Sequence, residues 1–445
     1  MPPTDPRPPL LDELRWRGLF HQATDEQGLA QWLSDAARNP RRGYNGFDPT
    51  ADSLTIGNLV PIMMLAHFQR YGHQPIVVMG GGTGLIGDPS GKTAERQLQS
   101  RERVEANVSA QRRIFERLLD MEGGAGKPPA KIVNNLDWLS TLKFLEVLRD
   151  IGKHFSVNTM IQKDSVRERL HNREQGISYT EFSYQILQAY DFAHLHREMG
   201  VTIQMGGSDQ WGNIVAGVDL IRRYQAHDPA SAGSEPAFAF TVPLLTKSDG
   251  GKFGKTETGA IWLTAERTSP YAYYQFWRNA SDADVVRFLK IFTFLPQEAI
   301  ASLEARHAAN PGAAEAQKVL AREATAILHG AAEAAHAEHA AQALFSGELA
   351  GLPAATLAEV FASVPTTDHD KSHLSGEGLP ILDLLAQTTL VKSKGEARQF
   401  LQTGAVSING RPVDNTHRLT PADLLHSSLI ALRRGKKAWH LTRWK

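Results

Sequence analysis

The chain has 445 residues, no net charge, no cysteine and an apolar fraction of 42%. Such a length suggests about three domains around a sizeable core. The absence of cysteine excludes disulfides and cysteine-ligated metal, and no apolar run approaches the ~18 residues of a membrane span. Both fit a cytoplasmic protein. The zero charge is uneven. Residues 379–445 hold eleven Lys and Arg against four Asp and Glu, a net of +7, which leaves residues 1–378 at −7. A small basic module on an acidic body suggests a polyanionic partner at that end.

Met1–Pro9 is proline-rich, has no apolar signal core and is expected to be a disordered lead-in. Leu10–Gln22 reads as a short amphipathic helix. Thr24-Asp25-Glu26-Gln27 has capping-box spacing and opens a second helix through Trp32. Gly43–Phe47 reads as the first strand. The loop Asp48–Ser53 then leads into a helix with Gly57 one turn in, continuing through Leu59, Ile62, Met63, Leu65, Ala66 and Phe68. Glycine there costs stability and suits a place where a flat group, such as a purine, lies on the backbone.

Gln74–Gly80 is an apolar run of parallel-strand type, followed by the glycine-rich loop Gly80–Asp88. Gly82, Gly84 and Gly87 have dinucleotide-fingerprint spacing, but Asp88-Pro89-Ser90-Gly91 intervenes before any helix. Gly91-Lys92-Thr93 ends like a P-loop whose first glycine would have to be Ile86. Both specific readings fail. Close approach of a ligand to the backbone survives them. Thr93–Leu119 is expected as a long charged helix burying Val104, Val108, Phe115 and Leu119, and Lys131–Asn135 as a short strand. Ser178-Tyr179-Thr180-Glu181 is a capping box. On the helix it opens, Tyr184, Gln188 and Asp191 share a face. Phe182, Ile186, Leu187, Tyr190 and Phe192 make that helix apolar almost all round, so the stripe is either solvated or partnered by a ligand. Val201–Met205 reads as a strand ending in the polar loop Gly206–Asn213, the place where open α/β sheets bind ligands.

Ala226–Ala237 reads as a surface loop. Thr246–Thr256 carries three glycines, for mobility, and three lysines, for polyphosphate; an exposed basic loop is the alternative. Thr268 to about Phe345 is helical in pattern. His336 and His339 lie on a solvated helix without further ligands, so zinc is rejected there. Residues 348–378 read as a linker carrying one short helix. In the basic module a helix holds Leu382, Leu384 and Leu385, Val406–Asn409 is a short strand turning at Gly410, and a β stretch runs from Leu429 through Leu441.

Tyr44–Leu59 resembles the first signature of class I aminoacyl-tRNA synthetases, in its bacterial tyrosyl form. Lys252-Phe253-Gly254-Lys255-Thr256 resembles that family's Lys-Met-Ser-Lys-Ser signature. Gly80–Lys92, Gly152–Asn158, Glu181–Asp191, Gln204–Asn213 and the basic module are similar to the same family in the same order, so the resemblance covers the chain after residue 10. The departure is Thr55-Ile56-Gly57-Asn58, where the family usually has His-Ile-Gly-His. Thr55 offers a hydroxyl of shorter reach, and Asn58 an amide nitrogen in place of one imidazole nitrogen.

The resemblance implies an α/β fold: a Rossmann-like parallel-sheet nucleotide-binding domain (1–264), an α-helical domain (265–347), the linker (348–378) and a small α+β RNA-binding domain (379–445) resembling a ribosomal small-subunit protein. It implies activation of L-tyrosine with ATP to tyrosyl-adenylate and transfer to the 3′ end of tRNA(Tyr), by a homodimer. ATP is then a substrate, Mg2+ is expected with it, and no protein metal site is expected. By matched position Lys252, Lys255, Thr256, Thr50, Thr55, Lys92 and Arg96 would serve the reacting phosphates. Asp48, Gly57, Asn58, Gly207 and Asp209 would hold ATP with Lys255. Tyr44 and Asp191 would bond the tyrosine phenol, Asp88, Tyr184 and Gln188 its ammonium, and Gln210 its carboxylate. Lys392, Lys394, Arg398, Arg433, Arg434, Lys436 and Lys437 would contact RNA, on a module expected to move relative to the body. Two alternatives stand beside this reading. One is an RNA-binding protein with catalysis impaired at Thr55 and Asn58. The other is a tryptophan ligase, which the Tyr44–Asp191 pair disfavours.

Overall fold

The computed structural model describes residues 7–35, 40–88, 98–124, 127–163, 166–167, 177–227, 231, 233–251, 253–256, 259–362, 364–435 and 438–445, without the side chains of 255, 256 and 345. Contacts divide the chain into two units, residues 1–268 with 280–320 and residues 269–279 with 321–445. The helical stretch expected as one domain, 265–347, is thus shared between both.

The first unit is built on a six-stranded sheet. Its strands are β1 (Gln22–Ala23), β2 (Arg42–Phe47), β3 (Gln74–Met79), β4 (Lys131–Asn134), β5 (Ile203–Gly207) and β6 (Phe238–Val242), in the order β1-β6-β5-β2-β3-β4. β2 to β6 run parallel, and β1 is antiparallel to β6. Every residue of β3 and β6 is buried, which accounts for their unbroken apolar runs. From β2 the chain moves outward to β3 and β4, then returns to the other side for β5 and β6. The strand order therefore reverses between β2 and β5, the place where such sheets open a crevice.

The helices that matter for the site are α1 (Leu10–Arg17), α2 (Ile56–Arg70), α3 (Arg101–Leu118), α4 (Tyr179–Met199), α5 (Trp211–His227) and α6 (Val285–Phe292). α1 ends earlier than its pattern suggests because Gly18 adopts φ +75°. The helix Glu26–Ser34 is capped by Asp25, which accepts from Gly28 N–H at 2.9 Å. Thr24, the expected cap, instead accepts from Ala239 N–H at the sheet edge (3.1 Å). α3 starts after Ser100, not at Thr93; residues 89–97 lie outside the described residues. α4 begins as expected, with Ser178 accepting from Glu181 N–H at 3.3 Å. Phe192 and Leu195 of α4 pack with Val218 and Ile221 of α5 and with Tyr44, Ile76 and Val78 of the sheet.

In the second unit a five-stranded sheet has the order β9-β8-β10-β11-β7, with β7 (Thr366–His369), β8 (Val406–Ile408), β9 (Arg411–Pro412), β10 (Leu429–Arg434) and β11 (Ala438–Trp444). It is accompanied by α7 (Ala331–Ser346) and α8 (Lys394–Gln402). The expected linker 348–378 is a packed part of this unit. β7 pairs in parallel with β11, and Leu349, Leu352, Leu357 and Phe361 are buried with Ala340 and Ala343 of α7 and with Ala431 and Leu441 of the sheet. Its Gly, Pro and Ser content masked these few well-spaced apolar residues. At the end of α7, Gly347 (φ +90°) meets the turn at Gly410 (φ +83°) backbone to backbone, so closely that a Cβ on either would overlap the other residue. The basic module is seated on α7, not strung from it.

Candidate active site

A cleft of about 630 Å³ opens at the C-terminal ends of the parallel strands. Asp48 and Thr50 reach it from the end of β2, and Thr55, Gly57 and Asn58 from the start of α2. Thr83 and Asp88 come from the loop after β3, and Gly207, Asp209 and Gln210 from the end of β5. The polar stripe of α4 faces it, since Tyr184, Gln188 and Asp191 all line the cleft beside Tyr44, Asn45 and Gln204 of the strands.

One hydrogen-bonded chain runs along this wall. Tyr184 donates its hydroxyl to Asp48 Oδ2 (2.9 Å), and Thr83 donates to Asp48 Oδ1 (2.7 Å). Asn135 Nδ2 donates to Thr83 Oγ1 (3.0 Å) and to Asp191 Oδ2 (2.9 Å), while Trp138 donates its indole N–H to Asp191 Oδ1 (2.7 Å). Gln210 Nε2 donates to Asp88 Oδ2 (2.8 Å). Asp48 was expected on the nucleotide side; the structure sets it against Tyr184, among the residues expected to hold an ammonium. Thr83, Asn135 and Trp138 are members that sequence reasoning missed. The polar end of β4 at Asn134-Asn135 was their one visible signal.

Burial pushes the Asp191 carboxyl up to about 7, against the lowering effect of the Asn135 and Trp138 donors. Burial, then the nearby Asp191 charge, holds the Tyr44 hydroxyl well above its ordinary range, so it stays a neutral phenol. Tyr184 is raised the same way, by burial and then Asp48. The Tyr44 hydroxyl, Gln188 Oε1 and Gln204 Oε1 are buried without a hydrogen-bond partner among the described residues. Groups of this kind cost about 1–3 kcal/mol each when left unmet, so their convergence on one cleft points to a polar ligand.

At the other end, a methyl group on Gly57 would meet nothing nearer than Thr55 Oγ1 at 3.7 Å. Among the described residues no neighbour demands glycine there, and Gly57 lines the cleft. Asn58 Oδ1 accepts from both Thr55 N–H and Thr55 Oγ1 (3.0 Å each), so the two replacements of the signature histidines bond to one another. The Thr55 hydroxyl proton is thus taken up at the helix start. Asn58 itself lines the cleft. The two signatures share a backbone tie: Ile56 N–H donates to Ile261 O (2.9 Å), and Ile261 N–H donates to Gly254 O (3.1 Å). Gly254, at φ +80°, fits against Ile56 where any Cβ would overlap that side chain.

Residues 36–346 match the family model of class I tRNA synthetases (W and Y), and residues 356–442 that of the tyrosine–tRNA ligase C-terminal domain. The chain is 48% identical to the tyrosine–tRNA ligase of Roseiflexus castenholzii, over 98% of this chain and 99% of that one. It is 49% identical to that of Bacillus velezensis, over 97% and 99%. The chain belongs to the class I tyrosyl-tRNA synthetase family. It is thus an enzyme of the ligase class, as its resemblance implied.

Among solved structures, a truncated mitochondrial tyrosyl-tRNA synthetase from Aspergillus nidulans is similar (TM-score 0.68, 30% identity, 76% of this chain and 95% of that one). A tryptophanyl-tRNA synthetase from Encephalitozoon cuniculi shares the fold alone (TM-score 0.52, 14% identity, 74% and 87%). Fold therefore does not separate the tyrosyl from the tryptophanyl branch of the synthetases.

Of the synthetase residues read from sequence, Lys92, Arg96, Lys252, Lys436 and Lys437 lie outside the described residues, as do the side chains of Lys255 and Thr256. In the second unit, Arg398 and Lys392 are exposed. Lys394 pairs with Asp383 (2.6 Å). Arg434 lies 3.6 Å from Glu396 and over the Phe400 ring, and Arg433 sits over the Trp439 ring at 5.1 Å. These last three already serve the fold. His336 is a highly exposed residue on α7 beside Glu333, and the described residues contain no cluster of three or more His, Cys, Asp or Glu placed to hold a metal ion. No described helix is long and apolar enough to cross a membrane.

Proposed function

We propose that this synthetase joins L-tyrosine to ATP to give tyrosyl-adenylate, then passes the tyrosyl group to the 3′-terminal ribose of tRNA(Tyr). The tyrosine carboxylate attacks the α-phosphorus; a carboxyl–phosphate bond forms and the bond to pyrophosphate breaks. A ribose hydroxyl then attacks the tyrosyl carbonyl and AMP leaves. The observation that carries this reading is the Tyr44 hydroxyl, buried without a hydrogen-bond partner among the described residues, beside the doubly oriented Asp191. A phenol fits between them as donor to Asp191 and acceptor from Tyr44. Phenylalanine would leave both unmet, the kind of discrimination for which tyrosyl-tRNA synthetases are themselves the standard example.

Asp48, Asp88, Tyr184 and Gln188 suit the ammonium. Gln210 suits the reacting carboxylate, with Asp209 on the ribose. Gly57 and Asn58 suit the nucleotide. Lys252, Lys255 and Thr256, with Lys92, Arg96 and Thr50, would stabilise charge on the departing pyrophosphate. Mg2+ would arrive on the ATP phosphates. Arg398 and Lys392, with Lys436 and Lys437, would meet tRNA. We place the enzyme in the cytoplasm and assign it a homodimer, a state supported by Phe144, Leu145, Leu148, Val157 and Ile161, all exposed within one stretch.

Charging assays with labelled tyrosine and tryptophan on tRNA(Tyr) test the function. Tyrosine alone should be attached; attachment of tryptophan, or of neither, would overturn it.

A further inference from the structure

α6 lines none of the cleft, yet one stripe of it holds the lysine-bearing loop. Asp284, Phe288 and Phe292 recur at i, i+4 and i+8, one above another on a helix. Asp284 sits at the N-cap position but its side chain caps no backbone N–H of its own helix, the use an aspartate there normally has. Its buried carboxylate instead accepts from Ser248 N–H (3.1 Å), Ser248 Oγ (2.9 Å), Ser281 Oγ (2.8 Å) and Arg287 Nη2 (2.8 Å). Arg287 also donates to the Thr246 carbonyl. Further along the stripe, Phe253 packs against Phe288 (centroids 5.2 Å apart) and stacks on Phe292 (5.3 Å, 12°). The loop is thus fastened to α6 before and after Lys252.

The far end of α6 is fixed as well. Arg17, itself buried and held by Glu13 at 2.7 Å, donates to the carbonyls of Lys290, Thr293 and Leu295 at 2.9, 2.9 and 2.7 Å. Those carbonyls stand at and just beyond the helix end, where no intrahelical donor remains. A helix clamped at its end and bonded to the loop along one stripe is a rigid track.

We propose that Asp284 is a positioning residue for adenylate formation: through Ser248 it sets the start of the loop on α6, so that Lys252 and Lys255 meet the departing pyrophosphate. This rests on the adenylate chemistry proposed above. Misplacement of such groups by about an ångström can cost on the order of a hundredfold in rate.

The test is a double-mutant cycle of Asp284→Ala and Ser248→Ala, read as the single-turnover rate of adenylate formation. Tyrosine affinity and the rate of transfer from preformed adenylate to tRNA serve as controls. D284A should slow adenylate formation about ten- to a hundredfold. S248A should slow it less, and the double variant should be no slower than D284A. Tyrosine affinity and transfer should stay within about twofold of wild type, and Asp284→Asn should restore part of the rate. A folded D284A with the wild-type rate overturns the proposal, as does an equal fall in formation and transfer. If D284A does not fold, S248A decides alone, and an unchanged rate overturns the role. Wild-type protein that forms no adenylate overturns the functional reading itself, whereas wild type and D284A both forming it at one rate overturns only the role of Asp284.

Discussion

Trp138 donates its indole N–H to Asp191 across 53 residues of sequence, at 2.7 Å, while Asn135 takes the other carboxylate oxygen at 2.9 Å. The acidic group of the pocket is therefore aimed by two residues outside the helix that carries it.

Replacing Trp138 with Phe removes one of those donors and leaves the ring volume largely filled. A hydrogen bond to a charged group is worth about 1.5–3 kcal/mol, so tyrosine affinity should fall about ten- to a hundredfold. Equilibrium titration with tyrosine reads it. Wild-type affinity in W138F would mean that Asp191 does not depend on this donor.

Asp191 titrates near 7, raised by burial. In the proposed function tyrosine binding uses its carboxylate form, so affinity should fall as pH drops through about 7. In the ligand-free protein the sign is opposite. A carboxyl raised in the folded state binds a proton there that the unfolded chain has released, so this group's contribution to stability is present below its unfolded pKa of 3.8 and is lost as pH rises from there through about 7. Measuring tyrosine affinity and melting temperature over the same pH series checks both slopes, and W138F should shift both profiles upward.

The Thr55–Asn58 pair separates helix capping from ligand binding. Asn58→Asp keeps the acceptor that Thr55 uses but turns the amide donor into a second acceptor, unsuited to the nucleotide proposed to bind there. Its stability should stay within about 0.5 kcal/mol of wild type, while ATP-dependent tyrosine activation slows about ten- to a hundredfold. Asn58→Ala should lose about 1 kcal/mol of stability as well. Thermal melts beside steady-state rates distinguish these. An N58D variant as fast as wild type would show that the amide donor is not used.

Arg398 and Arg433 should behave differently although both are basic residues of the same module. Arg398 is exposed, and Arg398→Ala should leave melting unchanged, weaken tRNA binding and lower its salt slope by about one. Arg433 packs on Trp439 and donates to Leu344 O at 3.4 Å, so Arg433→Ala should also lower the melting temperature. Filter binding over a salt series, with a melt for each variant, reads both.

Local signals carried much of the site. Tyr184, Gln188 and Asp191 were legible because helical spacing puts them on one face, and Gly57 because glycine is costly in a first turn. Asn135, Trp138 and Thr83 were not, since they meet Asp191 and Asp48 only when β4 is laid beside β3 and α4 crosses the sheet. The same holds for Asp284 and Ser248, joined across 36 residues. In the fold, the parallel strands followed from their apolar runs. The packing of 348–378 escaped because four buried side chains, and not composition, place that stretch. The Thr55–Asn58 pairing shows the reverse case: a local bond at i, i+3 between two residues that each stand where the family usually has a histidine.

Tyrosine-dependent ATP–pyrophosphate exchange by the purified protein, without tRNA, tests the central claim most directly. Exchange with tyrosine and none with phenylalanine or tryptophan is the expected result; it would establish adenylate formation and the phenol pocket together, with Thr55 and Asn58 sufficient where the family usually has histidines. No exchange with any amino acid, from folded protein that still binds tRNA, would contradict it and leave an RNA-binding protein whose catalysis has been lost.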